Sequence, residues 1–402
     1  MPSSHSAANS DWEHVADFGL VPFTNRFLRT ATEAEDKYHL RMEVSLRTGL
    51  VRQANPPSPE ELRPRFSWIK YNETGDHLDD IADRISHLDA INPSSKIVGV
   101  TYNDDTTLER LRKRGFSRIS RLDTNKDFGI IAPLAGIETI QGVATPKWAK
   151  AWREKNGPVD VLIARHIWEH SHDLHSFLTA LRMLLSPSGY LVLEVPDAGP
   201  LLNGCDYTLP WEDHVSYFTP DTFASTLALE RCEIVFQRTY PYALENSLVA
   251  ILRESPMVTQ ERSSDSLERV ASAVAMARAF GSRLASTRTT VQRILLNQTQ
   301  TGNRIALLGA GHSAIMFINL MEVGSTVSFV VDDAPEKQGL FLPGSKLPIR
   351  PASALLDNKI GLCLLSVNHQ AESRVMKRLE TFTRSGGSFR SIYRNSSLSV
   401  FL

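Results

Sequence analysis

The chain of 402 residues is poor in cysteine: Cys205, Cys232 and Cys363 are its three, far apart and without a Cys-x-x-Cys pair. That spacing excludes a disulfide framework and a cysteine-rich zinc site. Excess charge is missing too. A formal net charge of −1 at pH 7 offers no electrostatic attraction to nucleic acid or to an anionic membrane surface. No run of about 18 apolar residues occurs, so no bilayer-spanning helix is expected. The opening MPSSHSAANSDWEHV lacks the apolar segment of a secretory signal, and residues 1–10 read as a disordered start. What is present is the composition of a globular protein, 42% hydrophobic and 22% charged. The length suffices for two or three cores. A cytoplasmic enzyme acting on a small molecule is the expectation.

Residues 11–90 mix strand-like runs, YHLRMEVSL and GLVRQ, with the proline-rich NPPSPEELRP and a helix-like HLDDIADRISHL. From Ser95 strands and helices alternate: SKIVGVTY, TTLERLRKRG, FSRISRLD, VDVLIARHI, HSFLTALRMLLSPSG, GYLVLEVPD. Such alternation predicts an α/β fold, a doubly wound parallel sheet covered by helices on both faces. Residues 264–298 read as one helical stretch, with Leu267, Val270, Val274, Ala277, Leu284, Val291 and Ile294 on one stripe. After it the alternation restarts with NRIALLGAG, HSAIMFINLMEVG, TVSFVVDD and IGLCLLSVNH. The expected division is a small N-terminal module (11–90), a central unit (91–258), a connecting helix (259–301) and a C-terminal Rossmann-like unit (302–402).

In open α/β sheets, ligands bind at the carboxyl ends of the strands. Thr101, Asn103 and Asp104 follow the first strand of the central unit, and Asp123 closes the second. Arg165 and His166 close VDVLIARHI, read as the fourth strand, and Glu194–Asp197 the fifth. An acid at the end of the second strand is placed to hold a ribose with two free hydroxyls; the alternative for Asp123 is a solvated turn. Only Gly99 breaks the first loop, VTYNDD, so a nucleotide would approach its backbone less closely than in a glycine-rich loop. ARHIWEHSHD crowds His166, His170 and His172 with acids, but no second Glu-His element accompanies it, and no metal is expected. Glu169 and His170 are expected to begin a helix. GAGHSA opens a helix after a strand, with Asp332 closing the next, a geometry that suits a phosphate. WEDHVSYFTP, residues 211–220, is either a catalytic loop or a polar loop ending at a helix cap.

Taken in order, FGLVPFTNRFL, VDVLIARHIWEHSHDLHSFL, WEDHVSYFT and VVDDAPEKQGLFLPGSKLPI resemble the three-domain, S-adenosylmethionine-dependent sugar C-methyltransferases, which act on nucleotide-linked keto-deoxysugars. The resemblance covers most of the chain and implies a class I methyltransferase-like central sheet. Departures accompany it. MEVSLRTGLVRQ has Ser45 and Thr48 where the family carries zinc cysteines, so the N-terminal module is expected to be metal-free. The family loop E-I-G-S-N-D-G falls on Gly99–Asp105, where Asn103 and Asp104 persist without the Glu and the glycines. Its Tyr-His-Glu-His reads Trp211-Glu212-Asp213-His214 here.

The resemblance implies methylation of carbon: a base removes a proton α to a ketone, and the enolate takes the methyl. His214 matches the retained family histidine and is the candidate base. Glu212 or Asp213 would orient it; Tyr217 would donate to the enolate oxygen or simply pack, and Tyr71 is a second candidate donor. Gly99, Thr101, Asn103, Asp104, Asp123, Arg165 and His166 are implied at the cofactor, S-adenosyl-L-methionine. Asn246, Ser247, Gly309, Gly311, His312 and Lys337 are implied at the substrate, the last four at its diphosphate. Transfer to oxygen or nitrogen or another sulfonium reaction, a binding scaffold without catalysis and, last, a dehydrogenase read from GAGHSA alone are the alternatives.

Overall fold

The computed structural model describes residues 11–63, 65–66, 75–131, 136–208, 210–230, 232–255, 264–300, 302–357 and 359–401. The 1–10 start and Tyr71 lie outside the described residues.

The N-terminal module is an antiparallel sheet of β1 (Trp12–Pro22), β2 (Lys37–Ser45) and β3 (Val51–Gln53). In β2 the buried Tyr38, Leu40, Met42 and Val44 alternate with His39, Arg41 and Glu43, the period-2 pattern of a half-buried strand. The long β1 was not legible in this way. Its register shifts between His14 and Ala16 and again between Asp17 and Gly19, and each shift breaks the alternation.

The central unit contributes β4 (Lys96–Gly99), β5 (Arg118–Arg121), β6 (Val159–Arg165), β7 (Leu185–Asp197), β8 (Ser216–Tyr217), β9 (Cys232–Tyr240) and β10 (Asn246–Glu254). Its sheet has the order β5-β4-β6-β7-β10-β9. The β5, β4, β6 and β7 strands are parallel, but β10 runs antiparallel to both of its neighbours, which corrects the all-parallel expectation. VDVLIARHI is also the third strand in chain order, not the fourth, and LSPSG belongs to β7 instead of the preceding helix. Alternate residues serve two cores. Leu162, Leu191, Leu193, Leu248 and Ala250 face the helices Pro146–Asn156, Leu174–Met183 and Pro220–Leu229. Val161, Ile163, Val192, Val249 and Ile251 face Leu78–Ser86 and Asp105–Lys113. Helices on both faces thus make the unit doubly wound.

The β8 strand leaves this sheet and pairs with β3, opposing Val51 to Tyr217. The WEDH loop is thereby tied to the N-terminal module. The single connecting helix resolves into two, Ser264–Ser282 and Leu284–Gln300. The break follows Gly281-Ser282, a pair of the kind that kinks helices. A Cβ on Gly281 would stand 1.9 Å from the Val15 carbonyl oxygen, so glycine is what lets β1 cross here. Leu267 is exposed, and the buried stripe begins at Val270.

The C-terminal sheet, β11 (Arg304–Leu308), β12 (Val327–Val331), β13 (Ile349–Arg350), β14 (Ile360–Leu365) and β15 (Ser388–Ser391), is parallel throughout in the order β13-β12-β11-β14-β15. One of its faces shares a continuous core with the N-terminal sheet, through Leu40, Met42, Phe280, Ile305, Leu307 and Phe317. No helix among the described residues is long and apolar enough to cross a membrane.

Candidate functional site at the carboxyl edge of the central sheet

The loop after β4 is organised by one acid. Asp104, fully buried, accepts the backbone N–H groups of Val100 and Thr101 at 2.7 Å and of Arg165 at 2.9 Å. Burial pushes its carboxyl up to about 7, against the pull of these donors and of the Arg165 charge. Thr101, also buried, caps the turn Tyr102–Asp104 by accepting from the Asn103 N–H. A Cβ on Gly99 would lie 2.8 Å from Asp104 Cβ and 2.9 Å from Leu108 Cδ1. Gly99, Thr101 and Asp104 therefore shape the loop from within, a correction to their expected place against a ligand.

Arg165 is corrected in the same way. Its guanidinium lies buried between the Glu194 carboxylate and the Asn103 carbonyl. Glu194 also takes His166 Nε2 at 3.1 Å, His77 Nε2 at 3.0 Å and the Ser247 hydroxyl at 2.6 Å. Burial alone would raise the Glu194 pKa, but Arg165 and the two imidazoles outweigh it and hold the carboxyl well below the usual range. Ser247 and His166 are thus members of an internal hub. Asn246 bonds Asp197 at 3.2 Å across the start of β10. Sequence reasoning had put Glu194 at a strand end without giving it a role, and had not placed His77 in the site. A glutamate within the apolar LVLEVPD was the available signal, because buried charges need partners.

Asp123 differs from these. It is exposed at the end of β5, where its Oδ1 accepts the N–H groups of Asn125 and Lys126, contacts that hold its pKa low. Its Oδ2 has no hydrogen bond among the described residues. The position suits the two hydroxyls of a ribose. Of the predicted cofactor residues, Asp123 is the carboxylate turned outward.

The WEDH loop is pinned from beneath. Gln53 Nε2 donates to the carbonyls of Trp211 at 2.7 Å and His214 at 2.9 Å. The Tyr217 hydroxyl accepts from the Trp211 N–H at 3.1 Å and donates to the Trp211 carbonyl. Tyr217 is buried and clamps the loop, the packing alternative of its two expected roles. Glu212 and Asp213 also turn from His214. The buried Glu212 accepts from the N–H of Thr24 at 2.8 Å and from its hydroxyl at 2.9 Å, and lies 3.7 Å from His312 Nδ1. Asp213 faces His170: His170 Nδ1 stands 3.0 Å from the Asp213 carbonyl oxygen, which can only accept, so Nδ1 carries a proton.

His214 projects into the space so framed. Its ring sits edge-on to His170 with centroids 4.8 Å apart and lies beside Trp211 and Tyr217. Its ring nitrogens make no hydrogen bond among the described residues. Burial, then the charges of His170, His312 and His166, hold the imidazole well below its usual pKa, hence neutral at pH 7. One ligand-type atom each from Glu169, His170 and His214 falls within 4.8 Å of the others, and Glu138, His170 and Asp213 converge likewise. Glu169 and His170 form a short turn, Trp168–His170, instead of beginning the helix, which starts at Leu174 after its Asp173 cap. Both Glu169 carboxylate oxygens are buried without a hydrogen bond among the described residues. Burial pulls the His170 pKa down, but Asp213, Glu169 and Glu138 outweigh it and raise it. Burial pushes Asp213 up to about 7. ARHIWEHSHD announced Glu169 and His170, but not their partners Glu138, Asp213 and His214, which come from separate segments that the fold brings together.

In the C-terminal unit the glycine turn is used internally. Gly309, at φ +102°, has no room for a Cβ, which would stand 2.5 Å from the Ser366 carbonyl oxygen. Lys337 Nζ donates to the Ala310 carbonyl at 2.9 Å and pairs with Asp332 at 3.2 Å. His312 is buried under Trp211, the two rings parallel within 7° and 3.6 Å apart. Gly309, Lys337 and His312 are thus engaged with the protein, a correction to the expected diphosphate contacts. Gly311, with open space beyond its Cα, is the one left facing outward.

Two family models match separate parts of the chain. Residues 254–392 match the family described as C-methyltransferase C-terminal domain, and residues 118–230 the family described as Methyltransferase domain. C-methyltransferase NovU of Streptomyces niveus is 23% identical over 400 residues, covering 95% of this chain and 93% of that protein. Among solved structures, the 1,6-didemethyltoxoflavin-N1-methyltransferase of Burkholderia thailandensis, with S-adenosylhomocysteine bound, is similar over 45% of this chain and 79% of its own, at 14% identity and a TM-score of 0.31. A SAM-dependent methyltransferase from Anabaena variabilis is similar over 44% of this chain and 85% of its own, at 15% identity and a TM-score of 0.29.

Proposed function

We propose that this S-adenosylmethionine-dependent methyltransferase, similar to a C-methyltransferase over most of its length, methylates a carbon α to the ketone of a nucleotide-linked sugar. The observation that carries this reading is the His214 imidazole, neutral and without a hydrogen-bond partner among the described residues, beside the rings of Trp211 and Tyr217. Taking a proton from carbon needs an unprotonated base with a free lone pair. As His214 gains the proton, the neighbouring Glu169 carboxylate offsets the new charge, the part expected of Glu212 or Asp213. Behind it stand His170, whose pKa the surrounding carboxylates raise toward the charged form, and Asp213, pushed up to about 7, to carry the proton on.

S-adenosylmethionine, when bound, supplies an electrophilic methyl group. Asp123 would hold its ribose, and the chain's remaining loop residues shape the floor beneath it. The units 11–90, 91–258 and 302–402 would then supply, respectively, the support of the WEDH loop, the cofactor edge and the acceptor side.

Deuterium uptake tests the reading. In heavy water with S-adenosylhomocysteine present, the protein is expected to exchange the α-hydrogens of a nucleotide-linked keto-deoxysugar. His214→Asn should lower that exchange by on the order of 10²- to 10⁴-fold while retaining S-adenosylhomocysteine binding. Methylation of oxygen or nitrogen without any exchange would sink the carbon-methylation reading. A stoichiometric divalent cation, whose chelation abolishes exchange, would instead make Glu169, His170 and His214 its ligands.

A further inference from the structure

A cavity of about 430 Å³ is lined by Asp76, His77, Tyr240, Pro241, Tyr242, Ala243 and Gln370. It lies where two ligand-binding edges meet. On one side, β9 ends at Tyr240 and β10 begins at Asn246, opposite Asp197, so the intervening turn belongs to the carboxyl edge of the central sheet. On the other, Gln370 lies in the first turn of the helix His369–Arg378, which follows β14. In the C-terminal sheet the strand order reverses between β11 and β14, and such a switch point opens a crevice for ligands.

The lining selects a kind of group. It contains no lysine or arginine, and it includes Asp76, so a phosphate does not fit. Two tyrosine rings and an imidazole do suit a flat, neutral ring. The tyrosine hydroxyls are already engaged: Tyr242 with His77 Nδ1 at 2.6 Å, and Tyr240 with Asp80. The Tyr240 ring is buried between His77, with centroids 4.7 Å apart, and the Arg238 guanidinium, whereas the half-buried Tyr242 ring meets His77 only edge-on and keeps the more open face. The exposed amide of Gln370 adds a donor and an acceptor at the rim. His77 continues inward to Glu194, and Glu194 to Ser247 and His166, so the cavity wall is joined by hydrogen bonds to the floor of the candidate active site.

We infer that this cavity is the subsite for the nucleobase of the acceptor, stacked on Tyr242 and hydrogen-bonded by Gln370. The inference rests on the nucleotide-linked acceptor proposed above. It places the base between the central and C-terminal units and directs the sugar toward His214.

Calorimetry of the full chain saturated with S-adenosylhomocysteine tests it, using thymidine diphosphate, uridine diphosphate and inorganic pyrophosphate as probes. One of the nucleotides is expected to bind, with pyrophosphate far weaker. Tyr242→Leu should weaken that nucleotide about tenfold or more, the usual scale for one lost base-stacking partner. Tyr242→Phe should restore most of the loss, and Gln370→Ala should cost a few-fold. S-adenosylhomocysteine affinity should stay constant across the set, which reports correct folding. A nucleotide that binds all variants equally would overturn the subsite and leave the acceptor class standing. Pyrophosphate binding as tightly as either nucleotide would also overturn the subsite. If neither nucleotide binds while S-adenosylhomocysteine does, the nucleotide-linked acceptor itself fails.

Discussion

Two turns of this chain occupy the same place in two related sheets and put it to different use. Gly99–Asp105 follows the first strand of the central sheet, and Gly309–His312 the first strand of the C-terminal one. By glycine content the second is the better nucleotide loop. The structure reverses that ranking at the neighbouring acids. Asp123, at the end of β5, is exposed with an uncommitted oxygen, whereas Asp332, after β12, accepts the Ala310 N–H at 2.7 Å and pairs with Lys337. A glycine motif reports that backbone comes close to something; in Gly309 that something is the Ser366 carbonyl. The acid that remains unpaired is the better guide to a ligand.

The largest effect that would break this comparison is on cofactor affinity. Asp123→Ala should weaken S-adenosylhomocysteine binding by on the order of 10- to 100-fold, the scale of a lost charge-assisted pair of hydrogen bonds. Asp332→Ala should leave that affinity unchanged and lower the melting temperature. Calorimetry of the two variants side by side decides it, and the opposite outcome would move the cofactor to the C-terminal unit.

A second effect separates binding from catalysis. If His312 served a diphosphate, its loss would raise KM. Stacked under Trp211 and beside Glu212, it serves the WEDH loop instead. His312→Ala is therefore expected to lower kcat by about tenfold through a misplaced His214, with little change in KM. Steady-state kinetics read the two parameters separately, and a KM effect alone would restore the diphosphate assignment.

These contrasts also show what the sequence could and could not disclose. The strands of both doubly wound units were legible because buried parallel strands are continuous apolar runs, as in VDVLIARHI and TVSFVVDD. The antiparallel β10 was not, since LENSLVAIL is just as apolar and carries no mark of its direction. The importance of His214 was legible through its surroundings in WEDHVSYFTP, but its partners were not. Sequence neighbours Glu212 and Asp213 were the natural choice, yet alternate side chains on an extended loop point apart. They reach Thr24 and His170, and Glu169 fills the vacant place. Likewise Asp104 reads as a ligand residue until the backbone donors around it are counted.

The smallest expected effect concerns that loop acid and isolates it by pH. Asp104 accepts three backbone N–H groups with no exposure, and an amide in its place would present two donors to them. Asp104→Asn should therefore cost about 1–3 kcal/mol of stability, the range for unsatisfied buried donors. Burial raises the folded-state pKa of Asp104 from 3.8 to about 7. Between these values the unfolded chain ionises while the folded one keeps its proton, so the wild type loses stability from this group as pH rises from about 4 to 7. The variant has no such group, and every other titration is common to both proteins. Urea unfolding at pH 5 and pH 8 should then show a wider gap between wild type and variant at pH 5. A gap of equal width at both would mean that Asp104 is ionised throughout, held so by its three donors and Arg165, and that the loop closes around a charge.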